Sequence, residues 1–144
     1  MTGQVISIWI KRAHRGVMDA VDVAEAVAGR GIGGSADQGR RRQITIIDEA
    51  AWRDATAEAE AAVDPSKRRA NVMLRGIALA ESRGKLLRIG GCVVQILGET
   101  RPCERMEEAQ AGLRDALGSA WRGGVFGEIV ESGLIRVGDA AELI

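Results

Sequence analysis

The sequence predicts a β-rich barrel with helices at its edge, and three observations carry that reading. Apolar, β-branched segments of strand length recur along the chain, as at residues 5–10 and 43–47, the pattern expected of short buried strands. Glycines punctuate them, 19 in 144 residues, well above the average usage of about 7%. Apolar residues at helical spacing occur in two stretches only, one after Asp48 and one after Cys103, so helices are a minority. A chain of this length suits one domain, residues 1–144, with a core that needs no staples.

Composition narrows the function classes. Lys plus Arg and Asp plus Glu balance at 20 each, which leaves no global field to attract nucleic acid or an anionic membrane. The four aromatic residues, Trp9, Trp52, Trp121 and Phe126, are too scattered for a base-stacking platform. Two cysteines, Cys92 and Cys103, make no disulfide framework and point to a reducing, cytoplasmic compartment. The apolar N-terminal run ends at Lys11 and Arg12, too short for a signal peptide or a membrane span.

Residues 5–10 alternate weakly and are β-branched, which predicts a strand. Residues 11–16 form a basic turn around His14, the single histidine. It is either a solvated loop residue or, since an imidazole's ordinary pKa lies near neutrality, an anion contact or acid/base group. Residues 17–23 predict a second strand, and Val27 ends a short third segment. The glycine-rich stretch 28–39 lacks the Gly-Lys-Ser/Thr ending of a phosphate loop, so it reads as a surface loop or the rim of a site. Arg40-Arg41-Arg42 is either a solvated face or an anion-binding edge.

Residues 43–47 predict a strand, and Asp48 caps a helix reaching about residue 62. Its stripe of Trp52, Ala55, Thr56, Ala59 and Val63 is thin and alanine-rich, so the helix lies on the surface of something else. Asp64-Pro65-Ser66 stops it. Lys67-Arg68-Arg69 precede Asn71, which either satisfies local backbone groups or lines a pocket, and residues 72–74 are a further apolar segment. Residues 86–89 and 92–97 predict a hairpin turning on Gly90-Gly91, with Cys92 a small buried hydrophobe. Met106, Ala109, Gln110, Leu113, Ala116 and Leu117 predict a helix that Gly112 weakens enough to break. A compact turn at 119–127, a strand at 128–130 and a last strand and turn at 133–139 complete about seven to nine strands and two helices.

The stretch Thr100-Arg101-Pro102-Cys103-Glu104-Arg105-Met106 joins strand to helix. The proline removes an N–H donor and holds Arg101 extended. A thiol at a helix start between two arginines loses its proton more easily than a free cysteine, although Glu104, Glu107 and Glu108 oppose that. Thiolate is the form that attacks sulfur or binds a soft metal.

Six motifs occur in one order: residues 40–48 (Arg-Arg-Arg-Gln-Ile-Thr-Ile-Ile-Asp), 68–72 (Arg-Arg-Ala-Asn-Val), 86–90, 100–103 (Thr-Arg-Pro-Cys), 121–126 (Trp-Arg-Gly-Gly-Val-Phe) and 135–139. Taken together the chain resembles the stand-alone MOSC domain, named for the C-terminal part of molybdenum cofactor sulfurase. The resemblance spans nearly the whole chain. It implies a mixed β-barrel with two or more peripheral helices and a cleft, serving molybdenum cofactor (molybdopterin) binding or sulfur carriage. It places the key thiolate, the catalytic group and molybdenum ligand, at Cys103. It makes Arg41, Arg42, Arg68, Arg69 and Asn71 the counterparts of the residues that hold the pterin and its phosphate. Arg101 and Arg105 would stabilise the thiolate. One departure is that Gly34 is followed by Ser35, and the acid comes later, at Asp37.

Three functional readings follow from the resemblance. The first is a cofactor-binding or sulfur-carrier module, partnered by a sulfur donor such as a cysteine desulfurase or by a molybdoenzyme. The second is a molybdenum-dependent reductase component acting on N-hydroxylated bases. The third is a non-catalytic interaction module. Pyridoxal phosphate, used by the enzyme for which the family is named, finds no lysine here in a Schiff-base context. Neither nucleic acid nor membrane is an expected partner.

Overall fold

The computed structural model describes residues 2–13, 16–36, 38–60, 62–102, 104–118 and 120–144. His14, Asp37 and Cys103 therefore lie outside the described residues. Eleven strands and three helices follow in chain order among the described residues: β1 (Thr2–Lys11), β2 (Met18–Val21), β3 (Val23–Val27), β4 (Gly31–Ile32), β5 (Ile44–Asp48), α1 (Glu49–Glu58), β6 (Val72–Arg75), β7 (Leu86–Ile89), β8 (Cys92–Glu99), α2 (Glu104–Ala109), α3 (Leu113–Leu117), β9 (Val125–Glu131), β10 (Gly133–Arg136) and β11 (Ala140–Leu143).

Seven strands close on themselves in the order β1-β11-β7-β8-β9-β5-β6, with β6 returning to β1. The barrel is mixed because β5 and β6 run parallel, pairing Ile46 with Val72 and Ile47 with Met73, while its other pairs are antiparallel. A parallel pair requires the chain to cross back. Here α1 and the 3-10 turn Pro65–Arg68 make that crossing. β2 extends the sheet beside the far half of β1. β10, β3 and β4 form a second, three-stranded sheet, which puts Ala24, Ala26, Ile32 and Ile135 into the barrel core.

Strand periodicity sorts the side chains into two layers. Ile44, Ile46, Val72, Leu74, Val94 and Ile96 face the barrel interior. Ile47 and Met73, their alternates, face outward and pack with Trp9, Trp52, Met106, Leu113 and Leu117. The helices thus cover one outer wall of the barrel. Burying side chains of this size stabilises the fold by about 1.5–3 kcal/mol each. In β1 the core positions are Val5, Ile8 and Ile10; a register shift between Val5 and Ser7 changes their spacing. That bulge explains the weak alternation in the sequence.

Several boundaries differ from the sequence expectation. The segment 17–23 is not one strand: it divides at Asp22, whose carbonyl accepts from Val137 N as the chain leaves β1 for β10. The loop 28–39 contains β4, anchored by fully buried Ile32. α1 starts at the expected cap, with Asp48 Oδ1 accepting from Ala50 N at 2.9 Å, but ends at Glu58 because Glu60 takes a positive φ of 52°. The strand expected at 128–130 is longer, β9 starting at Val125. Gly112 does break the second helical stretch: its φ of 87° separates α2 from α3, a conformation suited to glycine. No helix among the described residues is long and apolar enough to cross a membrane.

Candidate functional site

A cleft of about 230 Å³ opens on the outer wall of the barrel, between β5 and the start of α2. Lys11, Arg42, Arg68, Arg69, Arg101 and Arg105 line it, together with Gln43, Thr45, Asn71, Thr100 and Gly123. Ile47, Ala70 and Met106 supply apolar surface. Six basic side chains and no carboxylate border this space among the described residues, although the chain as a whole is charge-balanced. The elements explain the convergence. Thr45 and Ile47 share the outward face of β5, the 3-10 turn delivers Arg68 and Arg69, and the end of β8 delivers Thr100 and Arg101.

Arg68 is the frame of the cleft. It is 7% exposed, and its Nε donates to Gly123 O at 3.1 Å while Nη2 donates to Thr100 O at 2.9 Å. One guanidinium thus ties the end of β8 to the turn before β9. Gly123 must lack a side chain there, since a Cβ would lie 2.2 Å from Thr100 O. Asn71 is a second clamp. Its Oδ1 accepts from Thr45 N at 3.0 Å and Thr45 Oγ1 at 3.2 Å, and Nδ2 donates to Trp9 O at 3.4 Å. Both residues line the cleft, yet these polar groups are engaged with backbone and with the Thr45 hydroxyl, the reading of Asn71 that needs no ligand.

The other basic residues are disposed differently. Arg42 is exposed, with its guanidinium 5.0 Å from the centre of the Phe126 ring. Arg101 is exposed and 3.9 Å from Glu99, a contact worth little in water. Arg69 sits in the left-handed region at φ 65° and its Nη1 donates to Gly16 O at 2.6 Å. That conformation costs an arginine of the order of 1 kcal/mol. Arg41 is exposed, and of the triple-arginine run only Arg42 lines the cleft.

A neighbouring cavity of about 510 Å³ shares Arg69 and Arg105 with the cleft and continues along Gly16, Val17, Lys67 and Glu108. Ligand sites span about 300–1,000 Å³, so the cleft alone is small and the neighbouring cavity is of ligand size. Thr100 Oγ1 is buried with no hydrogen-bond partner among the described residues, leaving an unmet polar group in the wall. Basic residues, an apolar floor and this hydroxyl fit a planar, phosphorylated group.

Cys103 lies outside the described residues, between Pro102 and Glu104 in the chain; its sequence neighbours Arg101 and Arg105 both border the cleft. Cys92 faces the barrel core, fully buried, and burial pushes its thiol up to about 11. It is the inert small hydrophobe the hairpin pattern suggests. No described residue of the glycine-rich stretch lines the cleft. Sequence reasoning did not single out Lys11, Thr100 or Gly123 as site residues. Thr100 and Gly123 lie within two of the quoted motifs, which was the available signal.

Several solved structures share the fold. YuaD protein from Bacillus subtilis superposes with a TM-score of 0.84 at 20% identity, covering 99% of this chain and 96% of that one. YiiM from Geobacillus stearothermophilus gives 0.76 at 13% identity, covering 99% and 75%. YiiM from Escherichia coli gives 0.75 at 16% identity, covering 100% and 70%. At these identities the likeness is one of fold. No curated protein matches the sequence. The MOSC domain model matches residues 33–142, a span that contains α1, the clamp residues Arg68 and Asn71, and the Thr-Arg-Pro-Cys motif, and the chain belongs to the MOSC domain family.

Proposed function

We propose that this protein is a molybdenum cofactor-binding or sulfur-carrier module working through the Cys103 thiolate. The observation that carries the reading is the gathering of six basic side chains, with no carboxylate among the described residues, around a cleft lined by Arg101 and Arg105, the arginines two before and two after Cys103 in the chain. Arg42, Arg69 and Lys11 would hold the phosphate of the cofactor, with guanidinium forks matching its oxygens. Thr100 would offer its unpaired hydroxyl to the ligand. Arg101 and Arg105 would favour the ionised sulfur, since nearby cations lower a thiol's pKa. Arg68 and Asn71 hold the walls in place. When bound, the cofactor supplies a metal that accepts a thiolate ligand and changes oxidation state.

As a sulfur carrier, the Cys103 thiolate attacks the outer sulfur of a donor persulfide. The donor's S–S bond breaks, the donor leaves as a thiolate, and a persulfide forms on Cys103. A cysteine desulfurase fits as donor and a molybdoenzyme as acceptor. Incubation with a cysteine desulfurase and cysteine should add one sulfur atom to the wild type and none to Cys103→Ser, read by mass spectrometry. Molybdenum and pterin should co-purify from a host that makes the cofactor and fall in Arg42→Ala and Arg105→Ala variants. Absence of both results would remove the proposal. Reduction of an N-hydroxylated base by the loaded protein would favour the reductase reading instead.

A further inference from the structure

Arg42 lies outside regular structure just before β5, and its side chain is exposed. Holding so long a side chain in one place costs rotamer freedom, so something must fix it over the cleft. Its guanidinium sits 5.0 Å from the centre of the Phe126 ring. Phe126 is paired across strands with Gly98, where the β8–β9 register shifts between Ile96 and Gly98. A Cβ at Gly98 would lie 3.3 Å from Phe126 Cε1 and 3.6 Å from Cζ, so the ring rests across backbone that carries no side chain. A bulge re-aims the side chains around it, and an aromatic ring laid over a cross-strand glycine is held by that contact. The same Cβ point is 3.5 Å from Arg83 Nη2, and Arg83 in turn covers Trp121 at 5.9 Å.

We propose that Phe126 is the positioning residue for Arg42, holding its guanidinium as an oxyanion fork at the cleft. The guanidinium carbon lies over the face of the ring. The in-plane N–H edges remain for a phosphate-type ligand, because stacking and bidentate hydrogen bonding use different parts of the group. The inference rests on reading the cleft as an anion site. Gly98 belongs to the same device, since a side chain there displaces the ring.

The test uses inorganic phosphate as probe, measured by calorimetry on the full chain. Phe126→Leu should weaken phosphate binding by roughly two- to five-fold, the strength of an exposed cation–π contact. Phe126→Tyr, which keeps the ring, should bind like the wild type. In an Arg42→Ala background Phe126→Leu should have no further effect. The Arg42 Nε–H resonance should carry a ring-current shift in the wild type and lose it in Phe126→Leu. Equal weakening with and without Arg42 overturns the positioning role, because the ring then acts through the fold. Phosphate binding that ignores Phe126→Leu also overturns it. An unshifted Nε–H signal in the wild type overturns the pairing itself. No phosphate binding by a wild type that shows the shifted signal overturns the anion reading of the cleft, and with it the role of Phe126.

Discussion

Replacing Arg68 with Met separates a frame residue from a ligand residue. The resemblance makes it a phosphate partner, and in the structure its guanidinium joins two backbone carbonyls, Gly123 O and Thr100 O. A hydrogen bond from a charged donor contributes about 1.5–3 kcal/mol, and a buried carbonyl left unpaired costs about 1–3 kcal/mol. Met keeps much of the packing and removes a charge from a site that is 7% exposed, which offsets part of the loss. The expected net destabilisation is about 2–4 kcal/mol. For a chain of this size, about 3 kcal/mol corresponds to a fall in melting temperature of roughly 6–12 °C. Arg68→Lys should also destabilise, because a point charge cannot bridge both carbonyls. Urea unfolding followed by tryptophan fluorescence reads the effect, with an unchanged m-value confirming that stability alone has moved. A loss below about 1 kcal/mol, together with lost phosphate affinity, would show that Arg68 serves a ligand and refute the framing role.

Three further outcomes are expected. Gly112→Ala should destabilise by about 1 kcal/mol or more, since its φ of 87° is strained for alanine while the nearest atom, Ala59 Cβ, leaves room at 3.9 Å;. A continuous helix would respond with the opposite sign, a gain of about 1 kcal/mol. Burial raises the Cys92 thiol to about 11. The folded state therefore keeps a proton that the unfolded chain loses near pH 8.5, and stability should fall by about 2–3 kcal/mol as pH rises from there to 11; Cys92→Val should remove that alkaline slope. At the acid end, the bidentate contact from Arg75 holds the Glu49 carboxyl below its ordinary value. Its contribution is present above the unfolded pKa of about 4.3 and lost as pH falls through the folded value. Burial raises Asp48 and acts in the opposite direction, so only the difference between wild type and Arg75→Ala isolates the Glu49 part in acid titrations of stability.

Much of the fold is legible in particular residues. Ile44 and Ile46, or Val94 and Ile96, announce a strand with one face in a core, and the cap Asp48 and the breaker Gly112 mark helix ends by local chemistry. β1 was harder to read because a bulge changes its period, and 17–23 because one apolar run serves two sheets. The site was legible as residue types. The sequence showed arginines near a cysteine, but nothing local distinguishes Arg41, which stays outside, from Arg42, which enters the cleft. Nor does the Arg68-Arg69 pair reveal that Arg68 turns inward to brace the walls.

What the chain alone determined is the β-rich class, the breaks between elements, the apolar faces and the set of motifs, because these depend on neighbours within a few residues. Tertiary structure decided the closure of seven strands, the placement of the cleft on the outer wall under α2, and the split of the basic residues between frame and rim. Those depend on contacts such as Arg68 to Gly123 and Asn71 to Trp9, which join residues far apart in sequence and exist only once the barrel has closed.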